Sequence, residues 1–150
     1  MSNILASLDD INVHLPDDKI EADDNNIALL QVDVARFIRA MLAGTFTTVT
    51  ISGWDSPATT PDIIRSIAGR LIAAKFYQIR YAEDSDDSTF ATRLYNFSMR
   101  QINDIRSGTL MVLDVNEVAI ETSGLSLATD DFWPNDTTDA PKFTMGRVIG

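Results

Sequence analysis

Several stretches of this sequence keep apolar residues at steps of three and four and are closed by residues that start and stop helices. A chain punctuated in this way packs helix against helix. Over residues 27–43 the face is Ile27, Leu30, Val34, Phe37, Ile38 and Met41, and Gly44 stands where a helix ends. Thr60-Pro61-Asp62 supplies a cap residue, a proline suited to a first helical position and an acid for the positive helix end. It opens a helix over residues 61–82, with Ile64, Ile67, Ala68, Leu71 and Ala74 inward and Phe76, Tyr77 and Tyr81 near its end. Gly69 inside that helix costs about 1 kcal/mol relative to alanine. With Ala68, Ala73 and Ala74 it leaves room for a neighbouring helix to come close, which is a packing role.

Two further helices complete the body. Ser7-Leu8-Asp9-Asp10 has the form of a capping box, followed by Leu8, Ile11 and Leu15 at helical spacing until Pro16. Ser88 caps a last helix whose Phe90, Leu94, Phe97, Ile102 and Ile105 share one broad side before Ser107-Gly108. Between the second and third helices, Phe46-Thr47-Thr48-Val49-Thr50-Ile51 is rich in β-branched residues and Ser52-Gly53 offers a turn, which points to a small β-hairpin. Thr109-Leu110-Met111-Val112-Leu113 has the composition of a strand. Beyond it Asp, Thr, Ser, Gly and Pro interrupt every apolar run. The expected fold is therefore mainly α: a small helical bundle of a short first helix plus three longer ones, with a β-hairpin insert. Residues 1–113 form the helical domain, and residues 114–150 an extended C-terminal arm anchored by Phe132, Trp133, Phe143, Met145, Val148 and Ile149. Those six side chains return less free energy than the backbone entropy lost on ordering residues 132–149, so the arm needs backbone pairing or a partner surface.

Composition narrows the function classes. A chain of 150 residues buries enough surface to fold without cross-links. With no cysteine it has no disulfide, thiolate metal site or cysteine nucleophile. No apolar run is long enough for a membrane helix, since Arg65, Arg70 and Lys75 interrupt the best candidate, and Met1-Ser2-Asn3-Ile4-Leu5 lacks the basic start of a secretory signal. Neither membrane insertion nor secretion is expected. The net charge of -10 divides into -7 over residues 1–35, +2 over 36–110 and -5 over 111–150. Two acidic flanks around a near-neutral centre are a poor design for gripping nucleic acid, whose affinity comes largely from neutralised phosphates.

Chemistry-bearing constellations are absent or incomplete. His14 is the only histidine and is expected as a helix-terminal or surface residue. Asp84-Ser85-Asp86-Asp87-Ser88 lacks the glycine and the distal acid of a calcium loop, and the acids between Asp17 and Asp24 have the character of a solvated connection. Gly53-Trp54-Asp55-Ser56-Pro57 lacks the second glycine of a nucleophile elbow, and no glycine run leads to a Lys-Ser/Thr pair. No cofactor, metal or catalytic residue is expected, and the chain is read as a non-enzyme. Arg93 and Arg100 share one helix face, as do Arg36 and Arg39. Ordinary solvated surface is the first reading of these arginines, pairing with acids of a neighbouring subunit the second and nucleic acid the last, and Val49, Ile51 and Trp54 of the insert are candidates for contact with a neighbour or another protein.

Over residues 4–113 the layout resembles the head-to-tail connector family of tailed bacteriophages, also called adaptor or head-completion proteins. The likeness rests on the opening Leu8-Asp9-Asp10-Ile11 and on the helix ending Phe37-Ile38-Arg39-Ala40-Met41-Leu42-Ala43-Gly44-Thr45-Phe46. It continues through Thr60-Pro61-Asp62-Ile63-Ile64-Arg65-Ser66-Ile67-Ala68, Ala74-Lys75-Phe76-Tyr77 and Met99-Arg100-Gln101-Ile102-Asn103-Asp104-Ile105-Arg106-Ser107-Gly108. The resemblance implies a structural virion protein, assembled in the host cytoplasm, that forms a ring, commonly twelve-fold, between portal and tail. Such a ring extends the DNA channel, without sequence-specific DNA binding, and docks a tail-side connector, stopper or tail terminator. The arm residues named above would then reach the portal protein. The competing readings are a soluble helical protein-binding module or regulator that uses the arm to hold one partner, and, third, a carboxylate-dependent metal-assisted hydrolase.

Overall fold

A computed structural model describes residues 3–15, 25–80 and 85–122, and the side chains of all of these except 25, 80 and 85–88. Among the described residues there are five helices: α1 (Leu8–Asn12), α2 (Asn25–Leu42), α3 (Thr48–Ser52), α4 (Asp62–Arg80) and α5 (Ser85–Ser107). The mainly helical bundle expected from periodicity is the observed fold. None of these helices is long and apolar enough to cross a membrane.

The bundle is organised around α4, which packs against α1, α2 and α5. Residues 67–74 of α4 are buried throughout, because small side chains fill the directions in which helices come closest. Gly69 marks the tightest crossing. A Cβ built there would lie 2.6 Å from the Asp10 carbonyl oxygen, so α1 rests directly on the α4 backbone. The same carboxylate-bearing residue ties the crossing electrostatically. Ser7 N–H donates to Asp10 Oδ2 (2.8 Å) and Asp10 N–H donates to Ser7 Oγ (3.3 Å), completing the capping box. Arg65 on α4 donates through Nη2 to Asp10 Oδ1 at 2.9 Å. Burial works against the Asp10 anion, but the bonds from Arg65 and Ser7 outweigh it and hold the carboxyl below its ordinary value.

The other helices present stripes close to those expected. On α2, Ile27, Val34, Ile38 and Leu42 are buried, and Leu30, Phe37 and Met41 pack at the edge. Gln31 Nε2 donates to Ala6 O at 2.9 Å, fixing the segment before α1. On α5 the buried stripe is Ala91, Ser98, Ile102 and Ile105, with Phe90 and Leu94 beside it. Phe97, expected inward, is 47% exposed because it stands one position off that stripe.

Local details differ from expectation in four places. The insert is not a hairpin. Thr47 caps α3 by accepting from Thr50 N–H (3.2 Å), and this one turn brings Phe46 and Trp54 into edge-to-face contact at 5.5 Å in the core. Anchoring two aromatics overrides the β-propensity of the run between them. The antiparallel pairing lies instead at residues 112–120, where Leu113 bridges Ala119 and Ile120 N–H donates to Val112 O (2.8 Å). Asp114 Oδ1 shapes its turn by accepting from Asn116 N–H (2.8 Å) and Val118 N–H (3.0 Å). Thr60 does not cap α4: its hydroxyl donates to Ser56 O at 2.7 Å. The last helix starts at Ser85, so Ser88 is inside it rather than at its cap. It ends on Gly108, whose φ of +83° suits glycine.

Gly69→Ala should lower the melting temperature by a few degrees, because the approach to the Asp10 backbone costs about 1–3 kcal/mol and outweighs the gain in helix propensity of about 1 kcal/mol. Ser98→Ala should raise it, since the Ser98 hydroxyl is buried with no hydrogen-bond partner among the described residues. For Asp10, a depressed folded pKa means that its contribution is complete above the ordinary carboxylate value of 3.8 and is lost as pH falls through the folded value. Asp10→Asn should therefore cost about 1 kcal/mol at neutral pH, with the gap to wild type closing below that range in urea unfolding followed against pH.

Candidate functional site

Where the cationic side chains go separates scaffold from surface. Arg39 belongs to the scaffold: Nη2 donates to the Trp54 carbonyl and Nη1 to Asn3 O (3.3 Å), tying the N-terminal segment and the α3 loop to α2. Burial lowers its pKa, with Asp55 acting in the opposite direction. Arg36, one turn earlier, is exposed. The two therefore do not act as one charged pair. Lys75 pairs with Asp33 at 2.9 Å, and Arg65 with Asp10 and Asp62.

Arg93 and Arg100 lie exposed on one face of α5, and no ion pair reaches either among the described residues. Between them stands Phe97, and under Phe97 lies Arg70, its guanidinium carbon 4.4 Å from the ring centroid. Arg70 is only 8% exposed, and its bonds go to neutral partners, Gln101 Oε1 and Ser66 Oγ (3.1 Å). Desolvation lowers its pKa. The result is a face with an aromatic centre and three guanidiniums, two at its rim and one beneath it. The i, i+7 spacing of Arg93 and Arg100 was legible in the sequence; the exposure of Phe97 and the burial of Arg70 were not.

The other sequence-derived contact residues divide. Val49 is 81% exposed, Ile51 is half-buried, and Trp54 is 3% exposed and packed on Phe46, so Trp54 serves the core and is not presented to a neighbour. Phe132, Trp133, Phe143, Met145, Val148 and Ile149 lie outside the described residues. An apolar groove of about 420 Å³ lined by Phe46, Ile105, Leu110, Val112 and Ile120 sits where the described chain ends at Thr122. The turn beside it carries Leu113, Val115 and Val118, exposed by 45%, 52% and 60%, with exposed Glu117 and Glu121 among them.

A cleft beside α1 gathers Asp10, His14 and Ser66, the residue types of a hydrolytic triad, together with Arg65. Their bonds are committed elsewhere. The Asp10 carboxylate is held by Ser7 and Arg65, and Ser66 Oγ accepts from Arg70. Among the described residues no hydrogen bond joins His14 to either. Its imidazole is half-buried, and burial first, then the charge of Arg70, push its pKa below the ordinary histidine value. No group of three metal-ligating side chains occurs among the described residues. Compared with known proteins, the chain matches no family model, no curated protein and no solved structure.

Arg39→Ala should lose about 1–3 kcal/mol of unfolding free energy, because two backbone carbonyls lose a charged donor at once. Arg93→Ala, on the open face of α5, should stay within about 0.5 kcal/mol in the same denaturant titration.

Proposed function

We propose that this chain is a structural subunit of the junction between a tailed-phage head and its tail, acting by assembly and not by catalysis. The observation that carries this reading is the α5 face: exposed guanidiniums around an exposed aromatic, reached by no ion pair among the described residues, as a subunit that completes its pairing in an assembly would have. The helix order adds support, because the short capped α1 and the longer α2, α4 and α5 fall on the segments that carry the connector resemblance, with the one-turn α3 as an addition between α2 and α4. The committed bonds of Asp10 and Ser66 weigh against a catalytic role for the cleft around His14.

In this reading the copies form a ring beneath the portal, commonly twelve-fold, that continues the DNA channel and receives a tail-side connector, stopper or tail terminator. Phe132, Trp133, Phe143, Met145, Val148 and Ile149 of the arm dock on the portal protein. The acidic balance of the chain lets DNA pass by without tight phosphate contacts. The rival reading, a soluble binding module that holds one partner through its arm, needs no self-assembly.

Light scattering coupled to size-exclusion chromatography, with negative-stain imaging, separates the two. The full chain should form ring-shaped particles, alone or on addition of a portal protein, and co-elute with the portal. A chain that stays monomeric and never joins the portal excludes the connector role.

A further inference from the structure

Two exposed patches on this body are opposite in charge and alike in build. The first is the α5 face, where Phe97 is flanked by Arg93 and Arg100 and underlain by Arg70. The second is the turn over residues 113–121, where Leu113, Val115 and Val118 are exposed beside Glu117 and Glu121. Each has an apolar centre and a charged rim, the anatomy of a protein interface. Among the described residues the ion pairs are Arg65 with Asp10 and Asp62, and Lys75 with Asp33, so none reaches Arg93, Arg100, Glu117 or Glu121, although Asp104 stands one turn from Arg100 on the same face of α5.

The patches are also separate. Met111 and Leu113, on the approach to the turn, share a cleft with Asp62 and Ile63 at the start of α4, so the turn lies where α4 begins and α5 ends. Arg100 and Arg93 stand about 10 and about 20 Å back along α5 from Ser107. A two-fold contact of the α5 face with itself would set guanidinium against guanidinium. A contact between two different patches sets guanidinium against carboxylate and leaves each copy with one free patch of each kind, so it propagates and closes into a ring where the rotation allows.

We propose that the α5 face around Phe97 receives the acidic turn at residues 113–121 of a second copy of this chain, joining copies head to tail. This rests on the reading of the chain as an assembling subunit and names the two surfaces that do it. Arg93 and Arg100 meet Glu117 and Glu121 of the second copy, while Leu113, Val115 and Val118 cover Phe97. Duplex DNA is the other polyanion that such a face could attract, and the net charge of -10 argues against it.

The test uses the full chain in light scattering across a concentration series at low and high salt. Arg93→Glu with Arg100→Glu should weaken self-association at least tenfold, as should Glu117→Arg with Glu121→Arg, with far-ultraviolet circular dichroism unchanged because all four side chains are exposed. Mixing the two double variants, or combining all four substitutions in one chain, should restore assembly, since every contact is again between opposite charges. If wild type assembles and neither double variant weakens it, or if mixing fails to restore it, these surfaces are not the joint, although the assembly reading stands. If wild type remains monomeric at every concentration and with portal protein present, both the joint and the connector reading fall. If the arginine reversal abolishes duplex binding in a gel-shift assay and leaves assembly intact, the face is a nucleic-acid surface and the proposal is overturned.

Discussion

The architecture depends on a backbone-to-backbone approach at Gly69. Because position 69 has no Cβ, α1 rests on α4 at a distance that no other residue permits, and this places the Asp10 carboxylate within reach of Arg65. A five-residue helix has no independent stability, since its hydrogen bonds scarcely offset nucleation. Here it is held by a reciprocal cap at one end and by a partly buried ion pair to the central helix. The glycine thus lowers the helix propensity of α4 and in return admits α1.

A second layer of organisation comes from long polar side chains that satisfy backbone carbonyls across the bundle. Gln31 takes Ala6 O, and Arg39 takes the carbonyls of Asn3 and Trp54. These groups lie in irregular segments with no helical partner, and an unpaired buried carbonyl costs about as much as a lost hydrogen bond. Two residues about two turns apart on α2 therefore anchor both the N-terminal segment and the α3 loop. Arg70 differs in kind. Among the described residues it is buried without a carboxylate partner, supported by Gln101, Ser66 and the Phe97 ring, and it holds a positive charge just under the surface of α5.

Helix positions were legible because periodicity and caps are local signals: Ser7 with Asp10 reads as a capping box, and Ile27, Val34 and Ile38 as one face, without knowledge of their neighbours. The packing role of Gly69 was legible from its small companions, but its partner, the Asp10 carbonyl, was not. The β-branched composition of Val49, Thr50 and Ile51 points to a hairpin there because composition carries no sign that Phe46 and Trp54 must meet. The actual pairing at Val112 and Ile120 depends on an Asp114 turn whose signal is a single side chain. Which arginines remain at the surface was hidden for the same reason. Arg36 and Arg39 share a helical spacing, yet Arg39 is consumed by carbonyls from segments far away in sequence.

Charge therefore carries different meaning in different parts of this protein. Where a cation and an anion are brought together by packing, as in Arg65 with Asp10, they lock one helix onto another and are not free for anything else. Where helical register leaves cations exposed and outside any ion pair of the described residues, as with Arg93 and Arg100, their field extends to whatever approaches. A chain with ten surplus negative charges has ample acid to neutralise such a face internally, and among the described residues it does not. Among the described residues Glu117 and Glu121 lie on the turn beyond α5 with aliphatic side chains around them, while Asp104 stands one turn from Arg100 on α5 itself. Separating opposite charges onto two distant patches forgoes intramolecular attraction and gives the molecule a direction. Under the proposed head-to-tail joint such a body would build chains and rings, whereas one with its charges mutually paired would have no preferred neighbour.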